Sequence, residues 1–305
     1  MSSSNLDEQL IQESLVHLEP MDLHQAELVL KEAKGIFDRL GVVFYLEEGT
    51  CLGAIRDHGF IPWDDDIDLG SIFGMHGFTD KNVMTTVAAF KEHGFLTKII
   101  PRTHYLSIPF IKGRIRIDWH PSWVFDDHIF HYPGSRFPLR LFRNLKEINF
   151  LGTKFLVPNP PEEFLELKYG PDWVAPKKST YGTDVIRSIP HTPISGRRGR
   201  ISQFVARHVH RQNVCKIRVL NIAGKPVDRA EVTIVGVNRS KTDQKGYVRF
   251  TLPKDIFYAL IIRHGEHEEV LYEEKLESGN TYVYTPDPTV SNERYLVLKQ
   301  EQCRQ

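Results

Sequence analysis

Between Trp63 and Gly70 the chain reads W-D-D-D-I-D-L-G, four carboxylates within five positions set among residues that belong in a core. An exposed acidic loop would continue into polar residues, and a core strand would exclude Asp. A half-buried strand satisfies both demands, because successive side chains alternate faces: Ile67 and Leu69 bury on one side while Asp66 and Asp68 project from the other. The two Cβ atoms then lie roughly 6–7 Å apart, near enough for both carboxylates to converge on one divalent ion. Without a cation such a cluster repels itself and titrates upward, whereas Mg²⁺ or Mn²⁺ takes oxygen ligands and neutralises it.

A third carboxylate is expected from a neighbouring strand. In R-I-R-I-D-W-H, Ile115 and Ile117 face one way while Arg114, Arg116 and Asp118 face the other, so Asp118 is either a third ligand or the ion-pair partner of Arg116. Upstream, the Gly49-Thr50 turn lacks bulk and offers backbone N–H groups to phosphate if Cys51 to Arg56 opens a helix, with Arg56 holding a phosphate oxygen. Trp63, Asp64 and Asp65 are candidate substrate contacts, with core packing for Trp63 and turn capping for the two acids as competing readings. His120, His128 and His131 lie near Asp118 without ligand-like spacing and are not expected to form a metal set.

The rest of the chain supplies a frame for these residues. From Met21 to Leu40 apolar positions recur at steps of three and four, which predicts a helix ended by Gly41. Val42 to Leu46 reads as a buried strand and E-E-G-T as a turn. A second helix is expected over Asn82 to His93, ended by Gly94, followed by a strand F-L-T-K-I-I. Y-L-S-I-P-F-I and R-I-R-I-D-W-H flank Lys112-Gly113 as a hairpin, with Pro109 marking its first arm as an edge strand. P-P-E-E-F-L-E-L-K-Y-G is a helix with both ends marked. From Val185 to Asn213 there are six arginines and no acid, read either as a solvated interdomain helix or as a surface for an anionic partner. From Lys216 to about Pro286 short alternating runs between regular turn signals predict an all-β sandwich of about seven strands.

At 305 residues the chain has room for two domains, and with 41% apolar residues it is neither disordered nor membrane-spanning. A formal net charge of zero gives no global field toward nucleic acid or membrane, and no nucleic-acid partner is expected. The N-terminus has no basic start or apolar stretch of the secretory kind, so a cytoplasmic location is expected. Cys51, Cys215 and Cys303 lie too far apart for a zinc ribbon or a disulfide framework and are expected to be reduced.

Taken together, E-E-G-T-C-L-G-A-I-R-D-H-G-F-I-P-W-D-D-D-I-D-L-G (Glu47 to Gly70) resembles the signature of the LicD/fukutin family of phosphotransferases, within the nucleotidyltransferase superfamily. I-D-W-H-P around Asp118 resembles that family's third-acid strand, and Y-G-P-D-W (Tyr169 to Trp173) a downstream motif. The resemblance covers roughly the first 200 residues. It implies an α+β fold, a nucleotidyltransferase-like catalytic domain with a mixed sheet and helices over 1–213. A β-sandwich resembling carboxypeptidase regulatory-like or transthyretin-like domains follows over 214–290, and a tail over 291–305. It further implies transfer of a phosphorylated alcohol, such as phosphocholine or ribitol phosphate, from a CDP-linked donor to a hydroxyl of a cell-surface or lipid-linked glycan. Asp66, Asp68 and Asp118 become the catalytic, metal-binding acids, and Gly49, Thr50 and Arg56 lie near the donor phosphates. The inner face of the membrane is then a natural workplace, reached through peripheral contact. Two other readings stand beside this one: a nucleotidyltransferase using a nucleoside triphosphate, and a noncatalytic glycan-binding protein.

Overall fold

The acidic strand runs through the middle of a mixed sheet. The computed structural model describes residues 19–178 except 103, 126 and 132–134, residues 214–301 except 253–255, 288–293 and 296, and residues 10, 11, 14 and 186. The chain divides into two units, Met1–His131 with Ser135–Lys178 and Tyr132–Gly134 with Ser179–Gln305. Most of the basic segment, and with it the expected interdomain helix, lies outside the described residues.

The first unit opens with helix α1 (Leu23–Leu40), capped by the Asp22 side chain, which accepts from the Gln25 N–H, and closed by Gly41 at φ 65°. Strand β1 (Tyr45–Leu46) follows. It is shorter than the apolar run predicts; just before it the Val43 carbonyl accepts the Ser71 hydroxyl at 2.9 Å. The expected E-E-G-T turn is in fact the start of a short helix α2 (Glu48–Leu52), continued by a π-helical turn over Gly53–Asp57. Then come β2 (Ile67–Ile72) and helix α3 (Asp80–Glu92), whose start carries a reciprocal Thr79–Asn82 capping box.

The predicted single strand after α3 is two dipeptides, β3 (Leu96–Thr97) and β4 (Ile100–Pro101). The predicted hairpin forms as β5 (Leu106–Lys112) and β6 (Ile115–Ser122). Sheet order is β1-β2-β6-β5-β3, with β4 also on β5; β2 and β6 are parallel and the remaining neighbours antiparallel. Strand β5 is therefore not an edge as a whole. Its outer side pairs at Leu106–Ser107 and at Phe110–Ile111, and the gap falls at Ile108 and at Pro109, which has no N–H to give.

Helices α1 and α3 cover one face of this sheet. Phe37 of α1 and Phe90 of α3 meet Phe110 and Trp119 with ring centroids 3.8–6.4 Å apart, and Trp119 is fully buried. Its indole N–H donates to Ser71 Oγ at 3.0 Å, so this buried donor is satisfied. Beyond the sheet lie the hairpins β7 (His128–His131) with β8 (Ser135–Pro138) and β9 (Lys146–Phe150) with β10 (Thr153–Val157). Between the two hairpins sits a short helix α4 (Arg140–Arg143). Helix α5 (Pro161–Tyr169) closes the unit with Pro161 at its start and Gly170 after its end, as its sequence predicts.

In the second unit, the regular structure described from residue 214 onward is all strand. Strands β11 (Val214–Val219), β12 (Glu231–Ile234), β13 (Asn238–Lys241), β14 (Tyr247–Thr251), β15 (Ile256–His264), β16 (His267–Leu276), β17 (Thr281–Tyr284), β18 (Arg294–Tyr295) and β19 (Lys299–Gln300) form two sheets. Their orders are β14-β11-β17-β19 and β13-β12-β15-β16-β18. Ile217, Val219 and Tyr284 from one and Val232, Ile234 and Leu260 from the other share a buried core. Strands β18 and β19 lie in the stretch expected to be a tail. There the Glu274 carboxylate accepts from the Val297 and Leu298 N–H groups, at 2.7 and 2.9 Å. Cys51 and Cys215 are buried and are not disulfide-bonded among the described residues. No helix of the described residues is long and apolar enough to cross a membrane.

Candidate active site

Opposite the aromatic face, β2 and β6 present polar side chains. Their parallel register makes Asp68 and Asp118 Cα partners, with Gly70 beside His120 one step on. Asp68 is held on three sides by the segment before α2 and its first turn. The Glu47 N–H donates to its carbonyl at 3.2 Å, its own N–H donates to Thr50 Oγ1 at 2.9 Å, and the Gly49 N–H donates to its Oδ2 at 3.2 Å. A Cβ at residue 49 would lie 2.6 Å from Asp64 Oδ2, so only glycine lets this segment approach the acids.

Asp64, Asp65 and Asp66 occupy the loop leading into β2, and one oxygen from each lies within 4.8 Å of the others. Arg116 joins this loop to β6. Its Nη2 lies 2.9 Å from Asp65 Oδ2 and also donates to Asp66, its Nε lies 3.2 Å from Asp118 Oδ2, and its Nη1 donates to the Ser14 carbonyl. The guanidinium is buried among three carboxylates. Burial works against its charge, but Asp118, Asp66 and Asp65 more than offset this and hold it firmly protonated.

One cation does not balance five acids. Burial, followed by the charge of Asp66, pushes Asp68 and Asp64 well above the usual carboxylate range. The same two causes raise Asp65 to about 7 against the pull of Arg116. Asp118 is also raised, by burial first, with Arg116 opposing and Asp66 assisting. Asp64 Oδ2 and Asp118 Oδ1 are buried without a hydrogen-bond partner among the described residues. Hard oxygen donors, excess negative charge and orphaned carboxylate oxygens together fit a divalent cation such as Mg²⁺ or Mn²⁺.

The candidate residues read from the sequence divide into two groups. Asp66 and Asp118 meet at one guanidinium and Asp68 pairs with Asp118 across the strands, while the tightest three-oxygen group is Asp64, Asp65 and Asp66. Gly49 and Thr50 direct their polar groups to Asp68. Arg56 gives its guanidinium to the neighbouring Asp57, at 2.9 and 2.7 Å, and Trp63 is half-buried.

A second network adjoins the acids and has no counterpart in sequence spacing. Glu47 is completely buried; its Oε1 lies 2.7 Å from His120 Nδ1 and its Oε2 3.4 Å from His131 Nε2. Glu48 meets His131 Nδ1 at 2.9 Å and Lys168 Nζ at 2.5 Å. Burial opposes the Glu48 charge, yet Lys168 and then His131 hold its carboxyl down at about 2. His128 stands apart, near Arg136. Glu48 also has φ 45°, a left-handed conformation costing a non-glycine residue about 1–3 kcal/mol. A Cβ on Gly70 would lie 2.4 Å from the Tyr45 ring and 2.6 Å from Glu47 Oε2, so glycine makes room for the network beneath β2.

Residues 41–160 match the family described as "LicD/FKTN/FKRP, nucleotidyltransferase domain". This matched segment is about two fifths of the chain. Around it, a mouse protein named "Ribitol 5-phosphate transferase FKRP" is 28% identical over 145 residues, 45% of this chain and 29% of that protein. "Lipopolysaccharide cholinephosphotransferase LicD" of Haemophilus influenzae is 46% identical over 41 residues, 13% of this chain and 16% of the relative. The LicD-like match thus spans less than a third of either relative's length. An antigenic nucleotidyltransferase-like protein from Paracoccidioides brasiliensis superposes at TM-score 0.33 with 14% identity, over 62% of this chain and 90% of that one, too remote a likeness to carry an argument. Every acid of the candidate site lies inside the matched segment, whereas Lys168 lies beyond it.

Proposed function

We propose that the chain transfers a phosphorylated alcohol, of the phosphocholine or ribitol phosphate kind, from a CDP-linked donor to a hydroxyl of a surface glycan, working at the inner face of the membrane. The observation that carries this reading is the set of acids crowded around Arg116, with Asp65 and Asp66 from the loop leading into β2 and Asp118 from β6, within the segment matched by the LicD family. Asp64, Asp65, Asp66, Asp68 and Asp118 are the residues available to hold Mg²⁺ or Mn²⁺, which when bound offsets phosphate charge.

The chain's own residues then have distinct tasks. Gly49 and Thr50 serve by fixing Asp68 in place, and Arg116 keeps the loop acids from splaying apart. Asp118 receives the proton of the acceptor hydroxyl, for which its unpartnered Oδ1 is free. The hydroxyl oxygen forms the new bond to the donor's distal phosphorus, and the bond from that phosphorus to CMP breaks. The test is a panel of CDP-alcohols offered with Mg²⁺ and a glycan acceptor, with CMP release followed by chromatography and the alcohol phosphate sought on the sugar by mass spectrometry. Pyrophosphate release from a nucleoside triphosphate, with no CMP from any CDP-alcohol, would overturn it.

A further inference from the structure

The Lys-Tyr-Gly end of α5 runs into the Tyr169–Trp173 motif, which the acid cluster leaves unexplained, and the lysine just before that motif turns back toward the site. Lys168 is buried, and its Nζ meets Glu48 Oε2 at 2.5 Å. His131, from β7, holds the other oxygen of the same carboxylate at 2.9 Å. Two cationic or hydrogen-bonding groups from separate elements thus grip one residue, and it is the residue whose backbone is left-handed at φ 45°. A left-handed non-glycine residue persists where its surroundings over-determine it. The grip supplies that determination.

What the bend accomplishes is visible on either side of Glu48. Glu47 on one side and Gly49 and Thr50 on the other make the three hydrogen bonds that fix Asp68. A relaxed backbone at residue 48 would turn the Gly49 N–H away from Asp68 Oδ2. We propose that Lys168 and His131 are positioning residues that act through Glu48, locking the Glu47–Thr50 bend so that Asp68 faces Asp118. The inference deepens the metal-dependent reading of the acids and rests on it for its chemistry, but the mechanical coupling is measurable by itself.

The test is hydrogen exchange on the full chain carrying Lys168→Met, Lys168→Arg or Glu48→Gln, with Mn²⁺ binding by calorimetry alongside. In Lys168→Met, amides of residues 47–53 and 66–70 should exchange about tenfold faster while those of α1 keep wild-type protection. Affinity for Mn²⁺ should fall by a similar factor, and Lys168→Arg should restore most of both. Glu48→Gln, which keeps the volume but loses the charge, should reproduce the Lys168→Met result and serves in its place if that variant does not fold. Wild-type exchange at both segments in a folded variant would overturn the proposal, as would faster exchange spread evenly over α1, which is the mark of a merely structural contact. If the wild-type chain itself takes no Mn²⁺, the metal reading of the acids fails, and the exchange result alone decides the coupling.

Discussion

Strands β2 and β6 carry opposite chemistry on their two faces. On one, Ile67, Leu69, Ile117 and Trp119 are all fully buried and the single indole N–H is satisfied. On the other, at the alternate positions of the same backbone, Asp68 and Asp118 sit in a field of like charge that one arginine only partly offsets. The first face is as settled as a core can be. The second is held in place by the first and by Glu47–Thr50, against its own repulsion. The lesson is that the alternation of a strand lets one pair of segments stabilise and destabilise the fold at once.

Breaking the acidic face should give the largest change. Asp66→Asn keeps the shape and removes a charge that raises Asp64, Asp65 and Asp68, so transfer measured as CMP release should fall by about 10³-fold or more. The same variant, freed of metal, should melt slightly above wild type, because relief of repulsion outweighs the lost contact with Arg116. Unchanged turnover would remove Asp66 from the site. The aromatic face should respond in the opposite sense. Trp119→Ala empties the space between Phe37, Phe78 and Phe110 and should cost about 3–5 kcal/mol in chemical denaturation.

A smaller effect sharpens the contrast through pH. Asp65 is raised in the fold to about 7 from 3.8, so the folded chain binds that proton more tightly than the unfolded one. Its contribution to stability is complete below about pH 4 and is lost as pH rises through about 7. The melting temperature of metal-free protein should therefore decline across that window, less steeply in Asp65→Asn. Added Mg²⁺ should flatten the decline if it binds the folded acids. A metal-free melting temperature that climbs from pH 4 to 7 in wild type and Asp65→Asn alike would remove the repulsion argument.

Much of the first face and half of the second were legible in the sequence. Apolar spacing in α1, the Lys112-Gly113 hairpin and the Asp66-Ile67-Asp68-Leu69 alternation are local signals, set by backbone period and turn chemistry, and they reappear in the structure. The meeting of Asp118 with Asp68 required only that two strands be neighbours. Less visible was anything decided by a side chain reaching across the fold. Nothing in the spacing of Glu47, His120, His131 and Lys168 announces that four separate elements bring them together. The helix at Glu48–Leu52 hid behind a glycine that usually marks a turn, and β1 is confined to Tyr45–Leu46 within a longer apolar run. Pro109 was legible as a missing donor, but the two dipeptides that flank it were not.

Those dipeptides have a bearing on how the chain behaves when crowded. The mixed sheet is bounded on one side by Tyr45–Leu46 and on the other by Leu96–Thr97 and Ile100–Pro101, so each rim is only two residues deep at any point. A second molecule seeking to add a strand would find no continuous run of outward donors and acceptors, and the proline-marked gap interrupts the longer rim. The margins of the sheet that carries the crowded acids are thereby poor templates for edge-to-edge pairing.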